Sequence, residues 1–127
     1  MNIRQAISGK ERVRVVALID GAAERATLHT LAARESWRLA IAHDHQALLR
    51  ELRQAPAVVV CEGDWRAILE SLRAAGARCR MILAAPQTVD KLWLEVLELG
   101  GYDVVTSPFH ERRLIDAIDH AWAELMK

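Results

Sequence analysis

Hydrophobic residues fall into two alternating kinds of stretch along this chain. Five short runs are apolar at almost every position: Val13–Ile19, Arg38–Ala42, Pro56–Cys61, Met81–Ala85 and Asp103–Val105. They are rich in Val and Ile and too short for helices, so they read as strands buried on both faces. Between them lie longer stretches whose apolar residues recur at helical spacing. Ala23–Glu35 carries Leu28, Leu31 and Ala32; His45–Gln54 carries Leu48, Leu49 and Leu52; Asp64–Ala75 carries Ile68, Leu69 and Leu72. Val89–Leu99 and Glu111–Leu125 complete a set of five helices. Asp20-Gly21 and Pro86 punctuate the ends of the first and fourth strands.

Strands that alternate with helices and are apolar throughout predict a parallel sheet covered on both faces, joined by right-handed crossovers. The fold class is therefore α/β, a doubly wound (βα)5 sandwich. Residues 1–11 end in the polar, aperiodic Ser8-Gly9-Lys10-Glu11 and read as a tail, which leaves 12–127 as one domain. At 127 residues and 52% hydrophobic content, the chain supports one full core and not two. Lys+Arg and Asp+Glu both number 17, so no excess positive charge points to nucleic acid. No apolar run approaches the roughly 20 residues of a membrane span. Met1-Asn2-Ile3-Arg4-Gln5 lacks the apolar stretch of a signal peptide, and a cytoplasmic location is expected. Cys61 and Cys79 have no metal-ligand spacing. One ends a strand and the other precedes the next, which predicts reduced thiols at opposite ends of the sheet.

Four segments carry a family resemblance. Leu99-Gly100-Gly101-Tyr102-Asp103-Val104-Val105-Thr106-Ser107-Pro108-Phe109 resembles the closing signature of the response-regulator receiver domain, in which a buried strand leads through Lys-Pro-Phe into the last helix. Ile19-Asp20-Gly21-Ala22-Ala23-Glu24-Arg25 is similar to that family's acidic opening. Ser36-Trp37-Arg38-Leu39-Ala40-Ile41-Ala42 is similar to its second strand. Pro56-Ala57-Val58-Val59-Val60-Cys61-Glu62 resembles the run that ends on its phosphorylated Asp. The resemblance spans residues 13 to 125. It implies a flavodoxin-like sheet in strand order 2-1-3-4-5, with the first and last helices on one face. It also implies a cis Ser107–Pro108 bond, and Asp20, Glu62 and Ser107 converging at the carboxyl ends of their strands.

The same resemblance implies that the family's chemistry has been dismantled. Receivers move a phosphoryl group onto an Asp nucleophile beside a magnesium ion, a transfer that depends on charge and positioning. Here Glu62 stands at the acceptor position, and Gly21 replaces one of two metal-binding acids, leaving Asp20. Ala84 replaces the Ser/Thr hydroxyl, Ser107 the Lys, and Val104 the aromatic switch residue. Only Gly63 and Asp64 separate Glu62 from Trp65, where receivers have a longer loop. The expectation is a degenerate phosphorylation pocket of Asp20, Gly21, Glu62, Ala84 and Ser107, with no catalysis, no metal and no cofactor.

Each candidate has a plainer alternative. Glu62 either mimics a phosphorylated Asp or is a solvated loop carboxylate. Asp64 is either a displaced acceptor or, ahead of Trp65-Arg66-Ala67, a helix N-cap. His43 and His45 are either metal ligands or an exposed pair. His110 and His120 have no Ser or Cys nucleophile in register for a triad, and no Gly-rich phosphate loop is present. Four Trp against one Tyr and one Phe is an unusual aromatic choice. Trp93 and Leu97 form a second stripe on their helix, which either packs against Ile115 or Trp122 or, with Val104, forms a partner-binding face. The functional expectation is a stand-alone pseudo-receiver in two-component signal transduction. It would bind a signalling kinase or output protein, or self-associate, through the fourth helix, fifth strand and last helix. The alternatives are a receiver phosphorylated on Glu62 or Asp64, or a small-molecule sensor using the vacated pocket.

Overall fold

The computed structural model describes residues 12–87 and 90–127, and the expected tail lies outside them. Strands β1 (Arg14–Leu18), β2 (Arg38–Ile41), β3 (Ala57–Cys61), β4 (Cys79–Ala85) and β5 (Asp103–Thr106) alternate with five helices. These are α1 (Ala22–Glu35), α2 (His45–Gln54), α3 (Trp65–Ala74), α4 (Asp90–Glu98) and α5 (Glu111–Leu125). All strand pairs are parallel, in the order β2-β1-β3-β4-β5, which is the flavodoxin-like sheet expected from the sequence. The largest boundary difference is at β4, which starts at Cys79 because Ala57 of β3 pairs with it.

The period-two alternation of strand side chains divides the core in two. Val15, Ala17, Val58, Val60 and Ile82 point to one face and meet Leu28 and Leu31 of α1 and Leu114 and Ile118 of α5. Val16, Val59, Met81 and Leu83 point to the other and meet Leu48 of α2, Ile68 of α3 and Val96 of α4. With both faces covered, the ladder sits out of water and its hydrogen bonds need no solvent partner. Helix α4 is the least anchored of the helices, since Val96 is the one buried residue among its nine.

Capping chemistry starts two of the helices. Asp44 accepts from the Ala47 N–H at 2.8 Å ahead of α2, and Asp64 accepts from the Ala67 N–H at 3.3 Å ahead of α3. Asp64 is thus an N-cap. The two cysteines are free, Cys61 ending β3 and Cys79 opening β4 opposite Ala57. Four residues of strand separate their levels, about 13 Å, beyond disulfide reach. Burial pushes the Cys61 thiol up to about 12 and the Cys79 thiol up to about 11, so both stay protonated at neutral pH. Among the described residues no helix is long and apolar enough to cross a membrane.

Arg14 ties the amino end of the sheet to the end of α2. Its guanidinium donates to Ala55 O at 2.7 Å, to Glu51 O at 2.8 Å and to a Glu51 carboxylate oxygen at 2.8 Å. Two of these acceptors are backbone carbonyls at the end of α2, which lack intrahelical donors. Arg14→Ala should therefore lower unfolding stability by about 2 kcal/mol, through lost charge-assisted bonds in a mostly buried setting. Urea denaturation checks this, and an unchanged midpoint would show the three bonds to be dispensable.

Candidate functional site

The carboxyl ends of the central strands hold the residues that the sequence singles out. Leu18 pairs with Cys61, so the residues after β1 and β3 emerge side by side. One Glu62 carboxylate oxygen accepts the backbone N–H of Asp20 at 2.5 Å, while the Asp20 side chain is exposed. Two carboxylates held about 4 Å apart would repel by roughly 4 kcal/mol at an effective dielectric near 20. Here the Glu62 carboxylate accepts a backbone N–H while the Asp20 side chain is exposed to solvent, which screens such repulsion. The loop is pinned from its other side by Arg25, whose guanidinium donates to Ile19 O at 3.1 Å and Asp20 O at 2.5 Å.

Gly21 is the N-cap of α1 and supplies no side-chain cap. Glu24, three residues on, folds back over it. A Cβ at position 21 would lie 3.0 Å from one Glu24 carboxylate oxygen and 3.1 Å from the other. Glu24 therefore fills the space into which a side chain at 21 would project. Its Oε2 atom is buried and has no hydrogen-bond partner.

Ala84 is buried near the end of β4 beside Val105. The Ser107 N–H donates to Ala85 O at 2.8 Å, and the Ser107–Pro108 bond is cis, as expected. Strand β5 lies two places from β3, about 10 Å across the sheet. A serine side chain reaches little beyond its Cβ, so Ser107 shares a sheet end with Glu62 without bridging to it. The five expected residues thus occupy one rim, but only Asp20, Gly21 and Glu62 form a compact group.

What surrounds that group is different from the sequence expectation. Asp20 and Glu62 line a depression of about 570 Å³ with His43, Asp44, His45 and Asp64, over a floor of Leu18 and Ile68. The histidines arrive because β2 pairs with β1, which places the β2–α2 turn beside the other two loops. Separation in sequence hid this neighbourhood. Among the described residues no group of three or more His, Cys, Asp or Glu side chains is placed to hold a metal ion.

A second surface lies across α4, β5 and α5. Among the described residues the exposed large hydrophobic side chains are Trp93 at 42%, Leu94 at 50% and Leu99 at 44%. Trp93 is thus on the surface, as the partner-face expectation requires, while Leu97 is half-buried. Val104 departs from that expectation. Its side chain is 3% exposed and packs inward with Val96 and Leu83, because an apolar edge strand must still cover the core. Leu94, outside the Trp93–Leu97 stripe, lies on the side of α4 opposite Val96 and faces outward. The alternative packing of Trp93 does not occur, since Ile115 and Trp122 belong to the core on the other face of the sheet. Instead its indole N–H donates to Asp103 Oδ1 at 3.3 Å. Between α4 and α5 lies a depression of about 480 Å³, lined by Asp90, Trp93, Thr106, His110 and Arg113 among others.

No protein-family model matches the sequence, and no curated protein is similar to it at a significant level. Solved structures are similar in fold. A response-regulator receiver domain of Francisella superposes with a TM-score of 0.74 at 19% identity, over 89% of this chain and 98% of that one. The beryllofluoride-activated NtrC4 receiver domain dimer gives 0.75 at 18% identity, over 88% and 98%. The receiver domain of Ssk1 from Saccharomyces cerevisiae, solved with the histidine phosphotransfer protein Ypd1, gives 0.76 at 11% identity, over 89% and 90%. The fold is that of receiver domains.

That fold implies a magnesium ion, and the donor set here does not fit one. Magnesium wants near-octahedral oxygen ligands, usually including one or two carboxylates with room for water. Glu62 is engaged by a backbone N–H, Gly21 brings no oxygen from its side chain, and the space beside it is taken by Glu24. Asp20 is outward and exposed.

Proposed function

We propose that this chain is a pseudo-receiver of two-component signal transduction, acting through protein–protein contact without phosphorylation. The observation that carries the reading is the bond from the Asp20 N–H to the Glu62 carboxylate, which occupies the acceptor position with an intrachain hydrogen bond. Phosphoryl transfer needs a free carboxylate nucleophile, a metal and a cation gathered within a few ångströms. Here one oxygen of the Glu62 carboxylate is taken up by a backbone N–H, the second acid is a glycine, and Ser107 brings no charge. The partner surface is the α4–β5–α5 face, where the exposed Trp93 and Leu94 offer the large apolar anchors that dominate interface energetics. The fold neighbours are a dimer in one case and a complex with Ypd1 in another, which supports contact with another protein as the mode of action.

The test is to titrate magnesium to millimolar levels with and without an acyl-phosphate donor, following tryptophan fluorescence and intact mass. Trp65, buried at the start of α3 directly after Asp64, reports on the loop. The expected result is no saturable fluorescence change and no phosphoryl adduct. A saturable change that disappears in Asp20→Asn would return the phosphoacceptor reading through Glu62 or Asp64.

A further inference from the structure

Strand β5 is an edge strand of the sheet, and edge strands invite pairing with another chain. The Ser107 N–H bonds to Ala85 O of β4. Main-chain groups in a parallel ladder alternate in direction along the strand, so the even-numbered Val104 and Thr106 turn theirs outward. At Val104 both outward groups have partners in this chain. Its N–H donates to Asp103 Oδ1 at 2.8 Å, and its C=O accepts from the Arg113 guanidinium at 3.4 Å. The same Arg113 nitrogen pairs with Asp103 Oδ1 at 2.8 Å, and the Trp93 indole N–H reaches that oxygen as well. One carboxylate oxygen thus gathers donors from α4, β5 and α5. The Asp103 side chain is 15% exposed, so solvent competes weakly for it.

We infer that Asp103 and Arg113 form a seal on the β5 edge, which keeps this strand from pairing with a second copy and limits the face to contacts made by side chains. A strand added at β5 would need the Val104 N–H and C=O, and both are spoken for. A parallel or antiparallel newcomer would then be left with Thr106 as its main anchor on a four-residue strand. The charge pair makes the seal more than a local turn. Arg113 is held by a carboxylate that is itself held by two other donors, so removing Asp103 frees the Val104 N–H and loosens Arg113, while removing Arg113 frees the Val104 C=O. The inference does not require the α4–β5–α5 face to bind a partner, since the seal acts on main-chain groups.

The test compares wild type with Arg113→Ala and Asp103→Ala, each also made with Trp93→Ala, by sedimentation velocity over a range of concentrations and by amide exchange at Val104. Val104 exchange in dilute monomer should accelerate about fivefold or more in Asp103→Ala, as loss of its one hydrogen bond requires. Both single variants should gain concentration-dependent association, with Val104 protection rising as they associate. The association should persist when Trp93 is also replaced, which separates edge pairing from docking through the indole. Should Asp103→Ala fail to fold, Arg113→Ala carries the same prediction for association. Folded variants that stay in the wild-type association state would overturn the seal, as would association that vanishes with Trp93→Ala.

Discussion

Gly101→Val should leave the protein badly destabilised, with Gly101→Ala intermediate. A Cβ at 101 would sit 2.4 Å from Val96 Cγ1 and 3.0 Å from Val96 O, with Met81 Cε at 3.4 Å. The nearest atom belongs to a short β-branched side chain with no measurable exposure, and the second is backbone, so neither yields by rotating away. Gly101 approaches this closely because its N–H closes the end of α4 on Val96 O at 2.8 Å, just after Gly100 turns the chain at φ +105°. Val96 is also the one buried side chain of α4, so relieving the clash means lifting the helix. Overpacking of this kind costs roughly 1–3 kcal/mol and occasionally more. The alanine variant should lose about 2 kcal/mol and the valine variant about 3 or more, a large share of the 5–15 kcal/mol typical of a domain. Urea denaturation followed by tryptophan fluorescence measures this. Adding Val96→Ala should recover part of the loss in Gly101→Ala, a coupling that a double-mutant cycle isolates. Strict additivity would place the strain elsewhere.

Trp93→Ala should weaken association through the α4–β5–α5 face by about 2 kcal/mol or more, roughly 30-fold in Kd, with little effect on folding. Trp93 is 42% exposed and lies outside both core clusters, so its truncation opens no core cavity. What it removes is an aromatic anchor already oriented by Asp103, whose ordering cost is met before any partner arrives. Trp93→Phe should fall between, keeping a ring but losing the bond to Asp103. Sedimentation equilibrium reads the effect on self-association, and calorimetry reads it on a partner protein once one is in hand. Equal affinity in wild type and Trp93→Ala would move the docking surface away from this face.

The alternation of elements was readable in the sequence because it rests on local periodicity. Val58-Val59-Val60 is apolar on both sides of a strand, and its alternation with helical stretches fits a doubly covered sheet. The role of Asp64 was readable for the same reason, since an N-cap needs only its own next three residues. The strand order came from the family resemblance, not from periodicity, and the sheet bears it out. Boundaries drifted where pairing decided them, as at Cys79, which joins β4 because Ala57 lies opposite.

The chemistry at the rim was legible only as a list of residue types. The family resemblance sets Glu62 where receivers carry an Asp; that its carboxylate takes the Asp20 N–H, 42 residues away, depends on β1 and β3 being neighbours. Glu24 filling the space beside Gly21, and His43 and His45 joining Asp20, likewise follow from how loops are set side by side by the strands beneath them. Val104 turns inward and Leu94 outward because the sheet and α4 each present one side to the core. Local composition and spacing determined which elements form and which residues start them. Only the tertiary structure decided which polar groups meet, because hydrogen bonds act over about 3 Å while their partners lie tens of residues apart along the chain.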